Sequence, residues 1–274
     1  VMDVNSLLEA IKGVEKVYHC AAIISFSPNE AERMMKVNIE GTSNVVNVCI
    51  EQKIKKLCYV SSVASLGVEG ATDVITEETH WKISSLHTNY SISKYGGERE
   101  VWRGIEEGLN AVIVNPAIIL GAGNWHRGSP SMFPFLSRGN KFYPNGAGGY
   151  VDVRDVVRAM IQLLESEIKN ERFILVSENL SYRTFFEMVQ EKFGLPKPRI
   201  KAGKLLLQIA WRVDKIISSV RGKVPRLTKE SVKSGSRKSS FSNAKIREAL
   251  DFEFIPVKKS VAEICELYNG SSKN

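Results

Sequence analysis

The sequence Tyr90-Ser91-Ile92-Ser93-Lys94 carries a tyrosine and a lysine four positions apart. Residues at this spacing lie on one face of a helix, about one turn apart. A neighbouring ammonium favours the ionised phenol, so the pattern predicts that Lys94 lowers the pKa of Tyr90 below its usual value of about 10. The pattern alone is weak evidence, because a tyrosine and a lysine on an exposed helix produce it by chance.

A pair of serines strengthens the interpretation. Ser61 and Ser62 follow the apolar segment Leu57-Cys58-Tyr59-Val60, which is typical of a buried strand, and Ser62 precedes Tyr90 by 28 residues. A hydroxyl at the end of such a strand could hold a substrate oxygen against the phenol. We therefore predict that Ser62, Tyr90 and Lys94 form a proton-relay site for reducing a carbonyl or oxidising an alcohol. The plainer interpretation, in which the two serines only end a strand, stays open.

Strands and helices alternate along most of the chain. Strands are predicted near 15–21, 56–61, 111–116 and 172–176. Helices are predicted near 5–12, 29–52, 90–107, 153–166, 181–193, 203–220, 243–250 and 257–268. This alternation predicts an α/β fold with a doubly wound parallel sheet. Ligands of such sheets bind at the carboxyl ends of the strands, where the segments beginning at His19, Ser61 and Asn115 fall.

The order of these segments resembles the extended short-chain dehydrogenase/reductase superfamily, the NAD-dependent epimerase/dehydratase type. Within it the chain is most similar to the dihydroflavonol-reductase and 3β-hydroxysteroid-dehydrogenase branch. The segments that carry the resemblance are His19-Cys20-Ala21-Ala22, 38–42, YVSSVASLG at 59–67, the tyrosine–lysine segment, Asn115-Pro116, and Ala249-Leu250-Asp251-Phe252 with Pro256. The resemblance implies Ser62 rather than Ser61 as the catalytic serine, because in that superfamily it stands five residues before the glycine that matches Gly67.

The resemblance also implies a cofactor, NAD or NADP. Lys94 would hydrogen-bond the nicotinamide ribose, and Asn38 would lie near the cofactor or serve as a structural bridge. The residues implied in cofactor binding are Cys20, Ala21, Ala22, Asn38, Ser61, Tyr90, Lys94, Asn115, Pro116 and Ile118. Members of the superfamily begin with a glycine-rich βαβ unit that this sequence does not contain, so we expect roughly 60 residues of the nucleotide-binding half to be absent.

The chain is expected to divide into two parts. Residues 1–120 with 150–178 would form the remainder of a dinucleotide-binding Rossmann domain, and residues 121–149 with 179–274 a smaller substrate-binding lobe. Aromatic and apolar residues in 124–128, 133–136 and 141–144, with Tyr150, favour a small, largely apolar ketone, aldehyde or alcohol as substrate. A nucleotide-sugar epimerase or dehydratase and a non-catalytic dinucleotide-sensing scaffold of the same fold remain alternatives.

Composition fits a soluble globular enzyme, with 43% hydrophobic and 25% charged residues among 274. The sequence contains no run of 18 apolar residues, so we expect no transmembrane helix. The four cysteines form no CxxC pair, which fits a reducing cytoplasm, and the four histidines show no metal-ligand spacing.

The net charge is +8, and much of the excess lies between Lys192 and Lys245. Within that region, residues 203–220 are predicted to form a basic amphipathic helix. We expect it to cover the substrate pocket, with weak contact to an anionic membrane surface as the alternative. The basic residues carry no nucleic-acid-binding motif. By resemblance, a homodimer would form through the helices near 29–52 and 90–107.

Overall fold

The computed structural model describes residues 1–67, 74–85, 87–203, 206–213 and 228–271. The helices are α1 Val4–Ile11, α2 Ala31–Met35, α3 Gly41–Glu51, α4 Asn89–Glu106, α5 Met132–Leu136, α6 Val153–Glu165, α7 Tyr182–Lys192, α8 206–213, α9 Lys229–Gly235, α10 Ala244–Leu250 and α11 Val257–Ser271. The strands are β1 Lys16–His19, β2 Lys56–Val60, β3 Val74–Ile75, β4 Ala111–Pro116, β5 Ile118–Leu120, β6 Phe142–Pro144, β7 Ala147–Asp152, β8 Glu171–Leu175, β9 Glu178–Ser181, β10 Ile200–Ala202 and β11 Ser240–Phe241.

Four parallel strands form the main sheet, in the order β1-β2-β4-β8. Strands β2 and β4 are apolar along nearly their whole length, because a parallel sheet is covered on both faces and neither face meets water. The strands predicted near 15–21, 56–61, 111–116 and 172–176 are all present. The predicted α/β fold is confirmed.

Alternate residues of these strands pack against different helices, as the two-residue period of a strand requires. One face packs against α1, α3 and α4 through Leu57, Tyr59, Ala111 and Ile113. The other face packs against α6 and α10 through Cys58, Val112, Val114, Phe173 and Leu175. Helices therefore cover both faces, and the predicted doubly wound sheet is confirmed.

A second group of elements surrounds a smaller sheet. Strand β5 pairs with β7 in parallel and β7 pairs with β9 antiparallel. Helices α5, α7 and α11 pack on this sheet around an aromatic core in which Tyr150 stacks on Phe185 with ring centroids 4.6 Å apart. Helix α10, which the sequence placed in the lobe, packs instead on the main sheet through Ile246.

The predicted helix at 29–52 is interrupted. A 3-10 turn at Pro28–Glu30 leads into α2, and a π-helical turn at Lys36–Glu40 separates α2 from α3. Such a turn adds a residue to the helical repeat and occurs often at functional sites. It changes the direction of the side chains on either side of it and includes Asn38.

The segment predicted as a helix at 203–220 is described only in part. Residues 206–213 are helical, whereas 204–205 and 214–220 lie outside the described residues. Leu206, Ile209 and Val213 are exposed on this helix. Among the described residues, no helix combines the length and the apolar character needed to cross a membrane. The predicted membrane-surface contact stays a prediction.

Candidate active site

The segment after β2 holds Ser62 in a fixed backbone conformation. Ser62 is extended (φ −163°, ψ 154°) and caps the 3-10 turn Val63–Ser65, with its Oγ accepting a hydrogen bond from the N–H of Ala64 at 3.1 Å. This bond occupies a lone pair of the hydroxyl and leaves its proton free for donation. Because the four strands are parallel, Ser62 lies at the same edge of the sheet as the ends of β1 and β4.

Tyr90 lies in the first turn of α4, close to Ser62. Thr88 and Ser91 form a capping box at the start of this helix, which fixes the position of Tyr90. Burial raises the pKa of Tyr90, and a side-chain hydrogen bond with Ser62 opposes the shift. This direction is opposite to the one that the sequence predicted. The phenol therefore keeps its proton at neutral pH and is ready to donate it.

Lys94 explains why the predicted direction was wrong. Lys94 is 2% exposed, and its ammonium donates to the hydroxyl of Tyr59 at 3.0 Å and to the carbonyl oxygen of Val60 at 2.8 Å. The ammonium is thus turned toward the end of β2. Burial lowers the pKa of Lys94 to about 8, against an opposing effect of Glu98.

Asn38 connects the π-helical turn to the loop after β1. Its side chain is buried, accepts from the N–H of Ile23 at 2.7 Å, and donates to the carbonyl oxygen of Ile23 and to Ser93 Oγ, both at 2.9 Å. Asn38 thereby fixes the loop that follows β1 to the helix that carries Tyr90. The structural-bridge interpretation of Asn38 accounts for these contacts.

Several of the residues predicted to bind a dinucleotide are placed where they could contact one. Cys20, Ala21 and Ala22 follow β1, are exposed, and have small side chains that let a ligand approach the backbone. Lys94 has three N–H donors, of which two are used within the described part of the chain, so a third is available for a ribose hydroxyl. Pro116 is buried at the end of β4, and Ile118 is half-buried at the start of β5.

Two of the predicted cofactor residues direct their side chains elsewhere. Ser61 Oγ donates to Glu98 Oε2 at 2.6 Å, and Asn115 Nδ2 donates to the same oxygen at 2.8 Å. Both side chains are buried, so contact of Ser61 or Asn115 with a cofactor would have to be made by backbone atoms. Sequence reasoning missed Glu98, although it follows Lys94 by four residues and therefore shares the helical face of Tyr90 and Lys94.

His19 is a packed strand residue. It is buried at the end of β1, its Nε2 lies 3.0 Å from Thr42 Oγ1, and its ring centroid lies 5.3 Å from that of Tyr59. Burial, with the charge of Lys94 adding to it, lowers the pKa of His19 to about 4. The imidazole is therefore neutral at physiological pH.

The aromatic residues expected to line the substrate pocket lie largely in the core of the lobe. Phe133 and Tyr150 are completely buried, and Trp125 packs edge-on against Phe133 and Tyr268. The expectation that Phe133 and Tyr150 contact a substrate is wrong, because a small lobe needs these large side chains for its own core. Phe135 and Phe142 remain exposed.

The part of the chain that holds this site matches a known protein family. The model of the NAD dependent epimerase/dehydratase family matches residues 1–175, which include Ser62, Tyr90 and Lys94. The chain belongs to this family. The resemblance found in the sequence is confirmed, and the family's name states the dependence on NAD that the resemblance implied.

The chain is similar to several named proteins. It is 27% identical over 274 residues to the putative dihydroflavonol 4-reductase of Synechocystis sp., covering 96% of this chain and 79% of the relative. It is 26% identical over 212 residues to sterol demethylase protein B of Methylococcus capsulatus, covering 75% of this chain but only 63% of that relative. The solved structure of gox2253 superposes with a TM-score of 0.81 at 30% identity, covering 98% of this chain and 83% of the other.

Proposed function

We propose that this chain is an NAD(P)-dependent oxidoreductase that interconverts a carbonyl and an alcohol, with Ser62, Tyr90 and Lys94 as catalytic residues. The observation that carries the proposal is the buried ammonium of Lys94, which donates to the carbonyl oxygen of Val60 at 2.8 Å and so joins the helix of Tyr90 to the strand end that precedes Ser62. Two hydroxyl groups so placed can both donate to one substrate oxygen.

The bound nicotinamide supplies or accepts the hydride. Ser62 and Tyr90 donate hydrogen bonds to the substrate oxygen, and these bonds strengthen as negative charge develops on it. Tyr90 then gives its proton to that oxygen, and in the reverse direction takes it back. The raised pKa of Tyr90 suits the first role, since the phenol is protonated at neutral pH and an alkoxide is a stronger base.

Lys94 has a binding role in the proposal. Its remaining N–H would bind a ribose hydroxyl of the cofactor. With a pKa of about 8, the ammonium is largely protonated at pH 7 and keeps the N–H that this contact needs. The cofactor would lie on Cys20, Ala21 and Ala22, held in place through Asn38.

The substrate proposed is a small, largely apolar ketone, aldehyde or alcohol. The name of the putative dihydroflavonol 4-reductase among the relatives supports a reductase of this kind. A non-catalytic scaffold would have no need of Ser62, Tyr90 and Lys94 together. Arg127 and Arg138 are both exposed, a modest supply of cations for the pyrophosphate of a nucleotide sugar. The predicted homodimer through 29–52 and 90–107 stays a prediction.

A binding and turnover experiment tests the proposal. The purified chain is titrated with NADH and with NADPH by nucleotide fluorescence, and is then assayed with an aryl aldehyde, a steroid ketone, a flavonoid ketone and a UDP-sugar. Consumption of reduced nicotinamide in step with alcohol formation supports the proposal. Binding without consumption favours the scaffold, and isomerisation of the sugar without net consumption favours the epimerase.

A further inference from the structure

Glu98 is the centre of a buried polar cluster next to the proposed active site. It is 2% exposed and lies one turn beyond Lys94 on α4. Its Oε2 accepts from Ser61 Oγ and Ser65 Oγ, both at 2.6 Å, and from Asn115 Nδ2 at 2.8 Å. Its Oε1 accepts from Arg172 Nη1 at 3.0 Å.

Two members of this cluster also hold the backbone of Ser62. The carbonyl oxygen of Ser62 accepts from Ser65 Oγ at 2.7 Å and from Asn115 Nδ2 at 3.2 Å. Ser65 has a single hydroxyl proton, so it donates to Ser62 or to Glu98 at any moment and couples the two acceptors. The peptide from which the Ser62 side chain projects is therefore held by groups that Glu98 orients.

The amide of Asn115 shows that the fold favours this arrangement. Asn115 Oδ1 is buried and has no hydrogen-bond partner in the part of the chain that the structure describes. Leaving a buried acceptor unpaired costs free energy. The opposite orientation of the amide would place that oxygen against the Glu98 carboxylate and the Ser62 carbonyl, so the orientation with Nδ2 facing them is preferred despite the cost.

Arg172 offsets the cost of burying the Glu98 carboxylate. Its guanidinium pairs with Glu98 from the neighbouring strand β8 and also donates to the backbone carbonyl of Glu77. A buried carboxylate needs both an opposite charge and several hydrogen-bond donors. Glu98 receives both, with the result that the cluster links α4, the turn after β2, and the strands β4 and β8.

We propose that Glu98 is a positioning residue for catalysis, which holds the Ser62 hydroxyl in reach of Tyr90 by fixing the Ser62 carbonyl through Ser65 and Asn115. This inference rests on the proposed function only for its effect on turnover. Its effect on the backbone of the turn does not depend on any activity. Misplacement of a catalytic group by about 1 Å can cost on the order of 100-fold in rate.

The Glu98→Gln variant tests the proposal, because glutamine keeps the size of the side chain and removes its charge. We expect kcat to fall by about 10- to 100-fold while the affinity for NADH or NADPH is unchanged. Asp155→Asn is the matched control. Asp155 is equally buried, pairs with Arg158 and accepts from the N–H of Ile255, but lies on α6 at the other face of the sheet. We expect this control to lose stability and keep its kcat.

A double-mutant cycle with Ser62→Ala shows whether Glu98 acts through Ser62. If it does, adding Glu98→Gln to Ser62→Ala lowers kcat no further. An equal fold-loss in both backgrounds would overturn the proposal. If Glu98→Gln does not fold, Ser65→Ala replaces it in the test. Ser65→Ala removes the hydroxyl between Glu98 and Ser62 but keeps the ion pair between Glu98 and Arg172, and it too should lower kcat.

Hydrogen exchange of the backbone amides in 61–67 provides a readout without substrate. We expect faster exchange there in Glu98→Gln or Ser65→Ala than in the wild-type chain, and wild-type exchange in Asp155→Asn. Unchanged exchange in the first two variants would overturn the proposal even if the wild-type chain reduced no carbonyl. Failure of the proposed function would instead appear as absent wild-type turnover with the exchange difference intact.

Discussion

The ammonium of Lys94 donates a hydrogen bond of 2.8 Å to the carbonyl oxygen of Val60, two residues before Ser62. This bond joins the helix that carries Tyr90 to the end of β2, two residues before Ser62. The ammonium is thereby withdrawn from water, and its charge is available within the site. The geometry of the proposed site depends on this connection.

The pKa of Lys94 predicts a rise in stability with pH. The folded value of about 8 lies below the usual 10.5, so between these values the unfolded chain binds more protons and the free energy of unfolding increases as pH rises. In Lys94→Met this contribution is absent. We expect the wild-type chain to gain about 2 kcal/mol over the variant from pH 7 to pH 9.5. Urea unfolding of both proteins at the two pH values measures this difference. The same change in unfolding free energy in both proteins would contradict the lowered pKa of Lys94.

The lowered pKa of His19 predicts a loss of stability in acid. Its folded pKa of about 4 lies below the usual 6.5, so its stabilising contribution is complete above pH 6.5 and is lost as pH falls toward 4. In His19→Asn we expect this loss to disappear. The wild-type chain should lose about 2 kcal/mol relative to the variant between pH 7 and pH 5 in denaturant unfolding. Equal losses in both proteins would mean that His19 does not titrate as the geometry requires.

Gly97 predicts a steric effect where α4 meets the π-helical turn. An added Cβ would lie 2.4 Å from the carbonyl oxygen of Asn38 and 2.6 Å from the Tyr59 hydroxyl. We expect Gly97→Ala to destabilise the chain by about 1–3 kcal/mol, because neither neighbour can move freely. Gly270→Ala is the matched control within α11, where a Cβ meets nothing within 4 Å. There alanine should be neutral or stabilising, by up to about 1 kcal/mol, and thermal unfolding of the two variants compares them.

The contacts of Asn38 predict that Asn38→Asp destabilises the chain much more than an asparagine-to-aspartate substitution at an exposed position. Asn38→Asp keeps an acceptor for Ile23 N–H but replaces the donor to Ile23 O and Ser93 with a carboxylate oxygen. We expect a loss of about 2–4 kcal/mol in unfolding free energy. Asn124→Asp is the control, since the exposed Asn124 side chain accepts from the N–H of His126 and aspartate does the same. Similar losses in both variants would contradict the bridging role of Asn38.

The sequence predicted the main sheet and the strand-end position of the site because both follow from local patterns. Buried strands appear in the sequence as runs of apolar residues. Tyr90 and Lys94 are one helical turn apart, and Ser62 directly follows a strand, so their positions could be predicted from local sequence. The boundaries of α4 and β4 agree with the prediction within one residue.

The remaining features depend on contacts between distant parts of the chain. Glu98 shares a helical face with Lys94, but its partners Ser61, Asn115 and Arg172 lie on three different strands or strand ends. The direction of the Tyr90 pKa shift was missed because burial and the turn of Lys94 toward Val60 are tertiary effects. Phe133 and Tyr150 likewise showed apolar character in the sequence, but only the packing of the lobe shows that they face its core.

The substitution Tyr90→Phe tests the central claim most directly, because it removes one hydroxyl and leaves the half-buried ring in place. The measurement is single-turnover reduction of a carbonyl substrate identified with the wild-type chain, alongside fluorescence titration of the reduced cofactor. The account predicts unchanged cofactor affinity and a fall in the rate of reduction of at least about 100-fold, the contribution typical of a general acid. A rate equal to that of the wild-type chain would contradict proton transfer by Tyr90 and with it the proposed mechanism.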